Sequence, residues 1–132
     1  LNVTLLQSTW EEAEVAPADL VLCVQVLYTV KEVEAFVRKM EAHARERVLV
    51  VMEMEPPQFQ YHPFWRLVRG EERLRLPCLP EFMELLWELG IYPDLEMLPP
   101  LEYRSFESRE VALRRLRHRL FLAPGSDMDR LL

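Results

Sequence analysis

The fold is decided by the stretch Asp19-Leu20-Val21-Leu22-Cys23-Val24-Gln25-Val26-Leu27, which is apolar almost without interruption. A strand with one wet face alternates apolar and polar residues, whereas a strand covered on both faces has a continuous apolar run. Strands of the second kind belong to parallel sheets, whose crossover connections place helices over the faces of the sheet. This stretch therefore predicts a buried strand of a parallel sheet.

The residues that follow predict a helix and then a second buried strand. Thr29 stands three residues before Glu32, which is the spacing of a capping box. Apolar residues then recur at helical intervals, at Val33, Phe36, Val37, Met40 and Ala44. A helix from about Val30 to Arg45 and a strand from Val48 to Met52 would complete a βαβ unit with parallel, neighbouring strands. We expect an α/β fold.

Alternation and helix-end signals predict the remaining elements. Leu1 to Gln7 alternates like a half-buried strand, and Asp94 to Leu98 has the pattern of a short strand. Helices are expected around Pro63 to Val68, from Pro80 to Leu89, and after a capping Ser108. We interpret 1–132 as one domain with a long connection over 58–79 and a tail over 123–132.

Composition and charge exclude several classes of protein. With 132 residues, half of them hydrophobic, the chain can bury a core, so a disordered segment is excluded. The net charge of −6 disfavours binding to nucleic acid or anionic membranes. No apolar run could span a membrane and no signal peptide is visible, so we expect a cytoplasmic protein.

The basic residues and cysteines say less about function. Arginine supplies all but two of the 16 basic residues, which hints at a thermophile. Cys23 and Cys78 have no nearby ligand pair, so they indicate two buried thiols and neither a disulfide nor a metal site.

Five short segments stand in an order and spacing typical of one family. They are Trp10-Glu11-Glu12, the stretch from Ala18 to Val30, Arg47-Val48-Leu49-Val50-Val51, Phe64-Trp65-Arg66-Leu67-Val68-Arg69-Gly70, and Leu89-Gly90-Ile91. Together they resemble the C-terminal part of a bacterial class I S-adenosylmethionine-dependent methyltransferase, over nearly the whole chain. The resemblance implies a Rossmann-like, three-layer sandwich in which 3–7, 20–24, 48–52 and 94–98 are similar to the third to sixth strands.

The same resemblance implies where the cofactor and the substrate would bind. In the intact protein, S-adenosylmethionine would meet its adenine contacts at Ser8, Thr9 and Trp10. Its methionyl and sulfonium end would lie on Cys23, Val24 and Gln25. The acceptor side, on 58–79, would hold an unidentified methyl acceptor with Tyr28, His62 and Trp65. No catalytic residue and no metal ligand are assigned.

The chain departs from the family at its N-terminal side. Its three glycines are Gly70, Gly90 and Gly125, so the glycine-rich turn that lets backbone approach the cofactor is missing. The first two strands are missing as well, and the chain begins at Leu1 rather than methionine. We therefore expect an incomplete sandwich that is inactive alone and associates with itself, or with the missing N-terminal part, through unpaired sheet edges.

Alternative interpretations stay open for the whole chain and for single motifs. The whole chain could be a non-catalytic α/β interaction module that acts through self-association or a partner chain. His62 and the aromatic residues near it could form the connection's own small core instead of a substrate pocket. The arginines from Arg114 to Arg119 fit a solvated helix face better than an RNA-binding stripe. Glu53 and Glu55 end the second buried strand, where open α/β sheets bind ligands, although their spacing identifies no metal pair.

Overall fold

Two parallel strands and the helix between them form the centre of the first unit of the fold. In a computed structural model that describes residues 2–99 and 106–132, strand β1 covers Ala18–Val24, helix α1 Val33–His43 and strand β2 Ala44–Val51. The strands pair in parallel, with Val21 opposite Val48 and Cys23 opposite Val50. The predicted βαβ unit with parallel, neighbouring strands is confirmed, as is the α/β class.

The chain divides into two units, and each is described by itself. The first unit comprises Leu1–Met54 and Leu76–Tyr92, and the second comprises Glu55–Arg75 and Pro93–Leu132. Helix α3, Leu79–Glu88, belongs to the first unit. Helices α2, His62–Arg69, and α4, Arg109–Leu120, belong to the second. Single 3₁₀ turns lie at Leu27–Thr29, Phe59–Tyr61 and Asp129–Leu131.

The core of the first unit lies on one face of the sheet. Helices α1 and α3 bury their apolar sides there together with the inward side chains of β1. The buried members of this core are Cys23, Leu27, Phe36, Val37, Met40, Phe82 and Leu86. Each large apolar side chain removed from water contributes roughly 1.5–3 kcal/mol, so this cluster is the main stabilising contact between the helices and the sheet.

The opposite face of the sheet is apolar and exposed. Leu20, Leu22, Val24 and Leu49 retain between 42% and 59% of their accessible surface. The continuous apolar run therefore has cover on one face only among the described residues, although it predicted cover on both. Apolar side chains indicate that a sheet face can be buried, but they do not indicate which element covers it. The finer expectation of a Rossmann-like, three-layer sandwich stays a prediction.

Two predicted strands are wrong in the described residues. Residues 2–7 form no strand, and Val3, Leu5 and Leu6 are exposed. Asp94 to Leu98 is also irregular, with Leu95 and Met97 exposed. Alternation predicts which face of a strand is buried, but a strand also needs a neighbour to take up its backbone hydrogen bonds, and neither segment has one among the described residues.

The start of α1 also differs from its prediction. Thr29 ends a 3₁₀ turn, and the helix begins at Val33 after Glu32, whose side chain makes no capping bond. The capping box predicted at Thr29 is therefore wrong.

The second unit is organised around helices α2 and α4. Val68 and Leu120 are buried, and the Arg69 guanidinium donates to the carbonyl oxygen of Leu120 at 3.1 Å. Asp129 fixes the chain after α4 by accepting from the Arg117 Nε and from the backbone N–H of Gly125 at 2.7 Å. The predicted capping of α4 is confirmed, because Ser108 Oγ accepts from the Val111 N–H at 3.3 Å.

Candidate functional site

The carboxyl end of β1 carries a residue with an unusual backbone conformation. Gln25 follows β1 with φ = 58°, in the left-handed region that non-glycine residues rarely adopt. Its N–H donates to the Val51 carbonyl oxygen at 3.0 Å, so the sheet ladder extends to this residue. A left-handed non-glycine residue costs about 1–2 kcal/mol. Such strain is found most often where a side chain must be held in a particular place.

The Gln25 side chain is part of a closed hydrogen-bond cluster at the ends of both strands. Its Nε2 donates to Glu53 Oε1 at 3.3 Å, and its Oε1 accepts from the Tyr28 hydroxyl at 2.5 Å. The Tyr28 hydroxyl in turn accepts from the backbone N–H of Glu53 at 2.7 Å. We call Gln25, Tyr28 and Glu53 the strand-end cluster. Gln25 and Glu53 are exposed, and Tyr28 is buried beneath them.

Electrostatics keeps the Tyr28 phenol protonated. Burial raises the pKa of Tyr28, the hydrogen bond from the Glu53 N–H opposes this in part, and the negative charge of Glu53 adds to the rise. A phenol is protonated at neutral pH in any case, so the hydroxyl is the donor to Gln25. Its role in the cluster is to orient the Gln25 carboxamide.

A buried cysteine lies just beyond the end of β2. The Cys78 sulfur is 3.0 Å from the Met54 carbonyl oxygen and 3.1 Å from Glu81 Oε2. Glu81 Oε2 also accepts from the Cys78 N–H at 2.9 Å, which closes the first turn of α3. A cavity of about 70 Å³ adjoins these two residues, with otherwise apolar walls that include Leu27 and Phe82. Both cysteines are buried, as predicted.

The side chains of the predicted cofactor contacts Cys23, Val24 and Gln25 point in three different directions. Cys23 points into the core, where burial raises the pKa of its thiol. Val24 points to the exposed sheet face. Gln25 alone of the three presents polar atoms at the strand ends, together with Tyr28, which was predicted on the acceptor side.

The predicted adenine contacts lie on the loop before β1. Trp10 donates from Nε1 to the Phe36 carbonyl oxygen at 3.3 Å, and the Lys39 ammonium lies 5.1 Å from its ring centre. Lys39 also donates to the carbonyl oxygens of Trp10 and Ala13, which ties the loop to α1. Ser8 and Thr9 are exposed, and Thr9 Oγ1 accepts from the Glu12 N–H at 3.4 Å. Trp10 thus anchors a loop in this structure.

The other two predicted acceptor-side residues belong to α2 in the second unit. His62 contacts the Phe59 ring with ring centres 4.9 Å apart. The guanidinium groups of Arg73 and Arg69 lie 4.7 and 5.5 Å from the Trp65 ring centre. Phe59 and Phe64 are each 40% exposed, so the aromatic residues of this segment are only partly covered.

Sequence reasoning anticipated Glu53 as a strand-end carboxylate but missed Cys78 and Glu81. Their approach to the end of β2 depends on the path of 55–77, which no local sequence signal specifies. Within 2–99 and 106–132, no group of histidine, cysteine and acidic side chains is placed to hold a metal ion. In the same residues, no helix is both long and apolar enough to cross a bilayer.

Comparison of the chain with protein-family models, with curated proteins and with solved structures found no match.

Proposed function

We propose that this chain carries part of the site of an S-adenosylmethionine-dependent methyltransferase that acts on an unidentified acceptor. One observation carries the proposal: a polar, partly exposed cluster stands at the carboxyl ends of two neighbouring parallel strands. Ligands of open α/β sheets bind at this edge. The order of the sequence segments that resemble the methyltransferase family supports the same assignment.

The strand-end cluster fits one end of the cofactor better than the other. The exposed Glu53 carboxylate can face a cationic sulfonium, and Tyr28 holds the Gln25 carboxamide in position beside it. For the adenosine end there is no comparable group of contacts at this edge. None of the three glycines lies in the turn directly after β1 or β2, so no glycine-rich turn is formed there. S-adenosylmethionine, when bound, supplies an activated methyl group, so the protein has mainly to hold an acceptor in line with it.

The charge of Glu53 provides a sharp test of the proposal. S-adenosylmethionine carries a sulfonium cation that S-adenosylhomocysteine lacks, so Glu53→Gln should weaken binding of the first ligand about three- to tenfold and leave the second nearly unchanged. Calorimetry on the intact protein measures both affinities. Glu88→Gln, an exposed residue of α3 with the same chemical change, is the matched control.

Two results would reject the methyltransferase proposal. One is the absence of binding of either ligand to the intact wild-type protein. The other is an equal loss of affinity for both ligands in Glu53→Gln, since a charge effect must separate them.

The exposed apolar sheet face favours a second candidate function, a non-catalytic interaction module. We propose that its occupant is a second copy of the chain, because a two-strand sheet with Leu20, Leu22, Val24 and Leu49 exposed can bury this face against itself in a two-fold contact. Each strand also has one unpaired edge among the described residues. The oligomeric state tests this candidate.

A further inference from the structure

The second unit contains a cleft whose lining is strongly cationic. Its volume is about 460 Å³, and it is lined by Tyr61, Arg114, Arg115, His118 and Arg119. None of these residues is acidic. The wider charge distribution is also uneven: the first unit has 12 acidic and 5 basic residues, a net −7, whereas the second has 10 acidic and 11 basic residues, a net +1. We call this feature the arginine cleft.

The spacing along α4 brings the cationic side chains to one place. Arg114 and His118, and likewise Arg115 and Arg119, are four residues apart and therefore neighbours on the helix surface. Arg115 and Arg119 are like charges at this spacing, which destabilises a helix. In the part of the chain that the structure describes, no carboxylate forms an ion pair with any of the three arginines. An anion in the cleft would offset this repulsion.

Arg117 shows that the run of arginines is divided between two roles. Its guanidinium pairs with Asp129, a buried carboxylate, and closes the chain segment after α4. The arginines on either side of it line the cleft. The run is therefore not a uniformly solvated face.

Two of the lining arginines are held in place by aromatic rings. The Arg115 guanidinium lies 5.6 Å from the Phe106 ring centre, and that of Arg119 lies 5.9 Å from the Tyr61 ring centre. Contacts of this kind restrict a long side chain while its N–H donors stay available. A ligand would consequently lose less affinity to the ordering of these side chains.

We propose that the arginine cleft binds a small anion that carries two or more phosphoryl groups. Guanidinium groups bind phosphate oxygens with paired N–H donors, and three of them exceed the need of a single carboxylate. The cleft is open and its three arginines are exposed, so their donors are accessible to an anion from solvent. A long nucleic acid is disfavoured, because the net charge of −6 repels an extended polyanion. This inference does not depend on the methyltransferase proposal.

The probe for this site is inorganic tripolyphosphate, titrated calorimetrically into the 132-residue chain. Saturable binding that weakens severalfold between about 50 and about 300 mM salt is expected. The double variant Arg114→Gln/Arg115→Gln should bind at least about tenfold more weakly. The control is Arg66→Gln/Arg130→Gln, which removes the same charge from two exposed arginines of this unit outside the cleft, and should change affinity less than about twofold.

A second readout keeps the test independent of folding defects. Arg114→Gln alone changes an exposed side chain without an aromatic partner among the described contacts, so its helical content should match wild type by circular dichroism. Tripolyphosphate should raise the melting temperature of wild type more than that of this variant.

Three outcomes would overturn the proposal. The first is the absence of tripolyphosphate binding to wild type. The second is an equal affinity in the cleft variants and the control. The third is binding of a single-stranded RNA of about 12 nucleotides, by fluorescence anisotropy, that is tighter than tripolyphosphate binding and is lost in the cleft variants but kept in the control, since this would assign the arginines to RNA.

Discussion

Tyr28 is the residue on which the strand-end cluster depends. Its hydroxyl donates to Gln25 and accepts from the Glu53 backbone, so it joins the turn after β1 to the end of β2. The ring itself is buried beside the core. Removing only the hydroxyl oxygen would keep the packing and leave the Glu53 N–H without its partner.

We predict that Tyr28→Phe lowers the free energy of unfolding by about 1–2 kcal/mol, because a part-buried N–H and a carboxamide oxygen each lose a hydrogen bond. Urea denaturation followed by circular dichroism measures the change. Tyr92→Phe, at a side chain that is 79% exposed, is the control and should have almost no effect. Equal stability of the two variants would contradict the cluster as described.

Asp129 makes the stability of the second unit depend on pH. The hydrogen bond from Arg117, followed by that from the Gly125 N–H, lowers the pKa of the Asp129 carboxyl. A carboxyl whose pKa is lower in the folded than in the unfolded chain stabilises the fold at any pH above its unfolded value of about 3.9. That stabilisation is lost as the pH falls toward the lower, folded-state value.

We therefore predict that Asp129→Asn melts at a lower temperature than wild type at neutral pH, and that the difference shrinks below about pH 4. Melting curves by circular dichroism across this range measure it. Asp127→Asn changes a carboxylate that is 94% exposed and should follow wild type at every pH. A difference between wild type and Asp129→Asn that grows toward low pH would refute the assignment.

At the scale of the elements, the helices could be predicted better than the strands. Pro80, Gly90 and Ser108 act within one or two turns of their own helix, so sequence alone identified α3 and α4 to within a residue or two. Strands depend on distant partners. For this reason 2–7 and 94–98 were wrongly predicted, while β2 begins at Ala44, four residues before its apolar part.

Sequence alone could predict the part of the candidate site that lies at the strand ends, but not the part that the long connection places there. Gln25 and Glu53 follow two apolar strands, so their positions at one sheet edge follow from the parallel arrangement. The placement of Cys78 and Glu81 beside that edge depends on the long connection, which has no periodicity to interpret. The left-handed conformation of Gln25 has no sequence signal either, because such positions usually hold glycine.

The cap of α4 is an element-scale contribution that can be measured. Ser108 Oγ accepts one of the backbone N–H groups that the first turn leaves without a helical partner. We predict that Ser108→Ala lowers the free energy of unfolding by about 0.5–2 kcal/mol, whereas Ser108→Asp retains most of the stability. Ser8→Ala, at an exposed serine outside any helix, is the control for the denaturation measurement. A Ser108→Ala variant as stable as this control would contradict the cap.

For the whole molecule, the division of charge and the exposed sheet face have different consequences. The net −7 of the first unit opposes the approach of polyanions to the strand-end cluster, but it does not oppose a cationic sulfonium. Long-range charge therefore favours the proposed cofactor there. The exposed sheet face of the same unit carries Arg47 beside Leu20, but its other side chains are apolar, and burying them is favourable for any surface that can cover them.

Self-association and weak cofactor binding are the properties that we predict for these 132 residues when purified alone. Leu22 lies near the centre of the exposed face, opposite Leu49, so a charge at this position should prevent burial of the face. Sedimentation velocity should show a dimer or larger species for wild type and a monomer for Leu22→Glu. Leu74→Glu, at a leucine that is 88% exposed in the second unit, should sediment like wild type.

The affinity for S-adenosylmethionine completes this prediction. The backbone amides of a glycine turn and a ribose carboxylate hold such a cofactor, and each missing contact costs about 1–3 kcal/mol, so the chain alone should bind it many tens-fold more weakly than an intact methyltransferase does. Methyl transfer should be undetectable for the same reason. Leu22 lies on the exposed sheet face and makes none of the hydrogen bonds of the strand-end cluster. Leu22→Glu should therefore alter the sedimentation without raising the affinity for the cofactor. A monodisperse wild-type monomer that binds the cofactor at micromolar strength would contradict both the predicted self-association and the predicted weak binding.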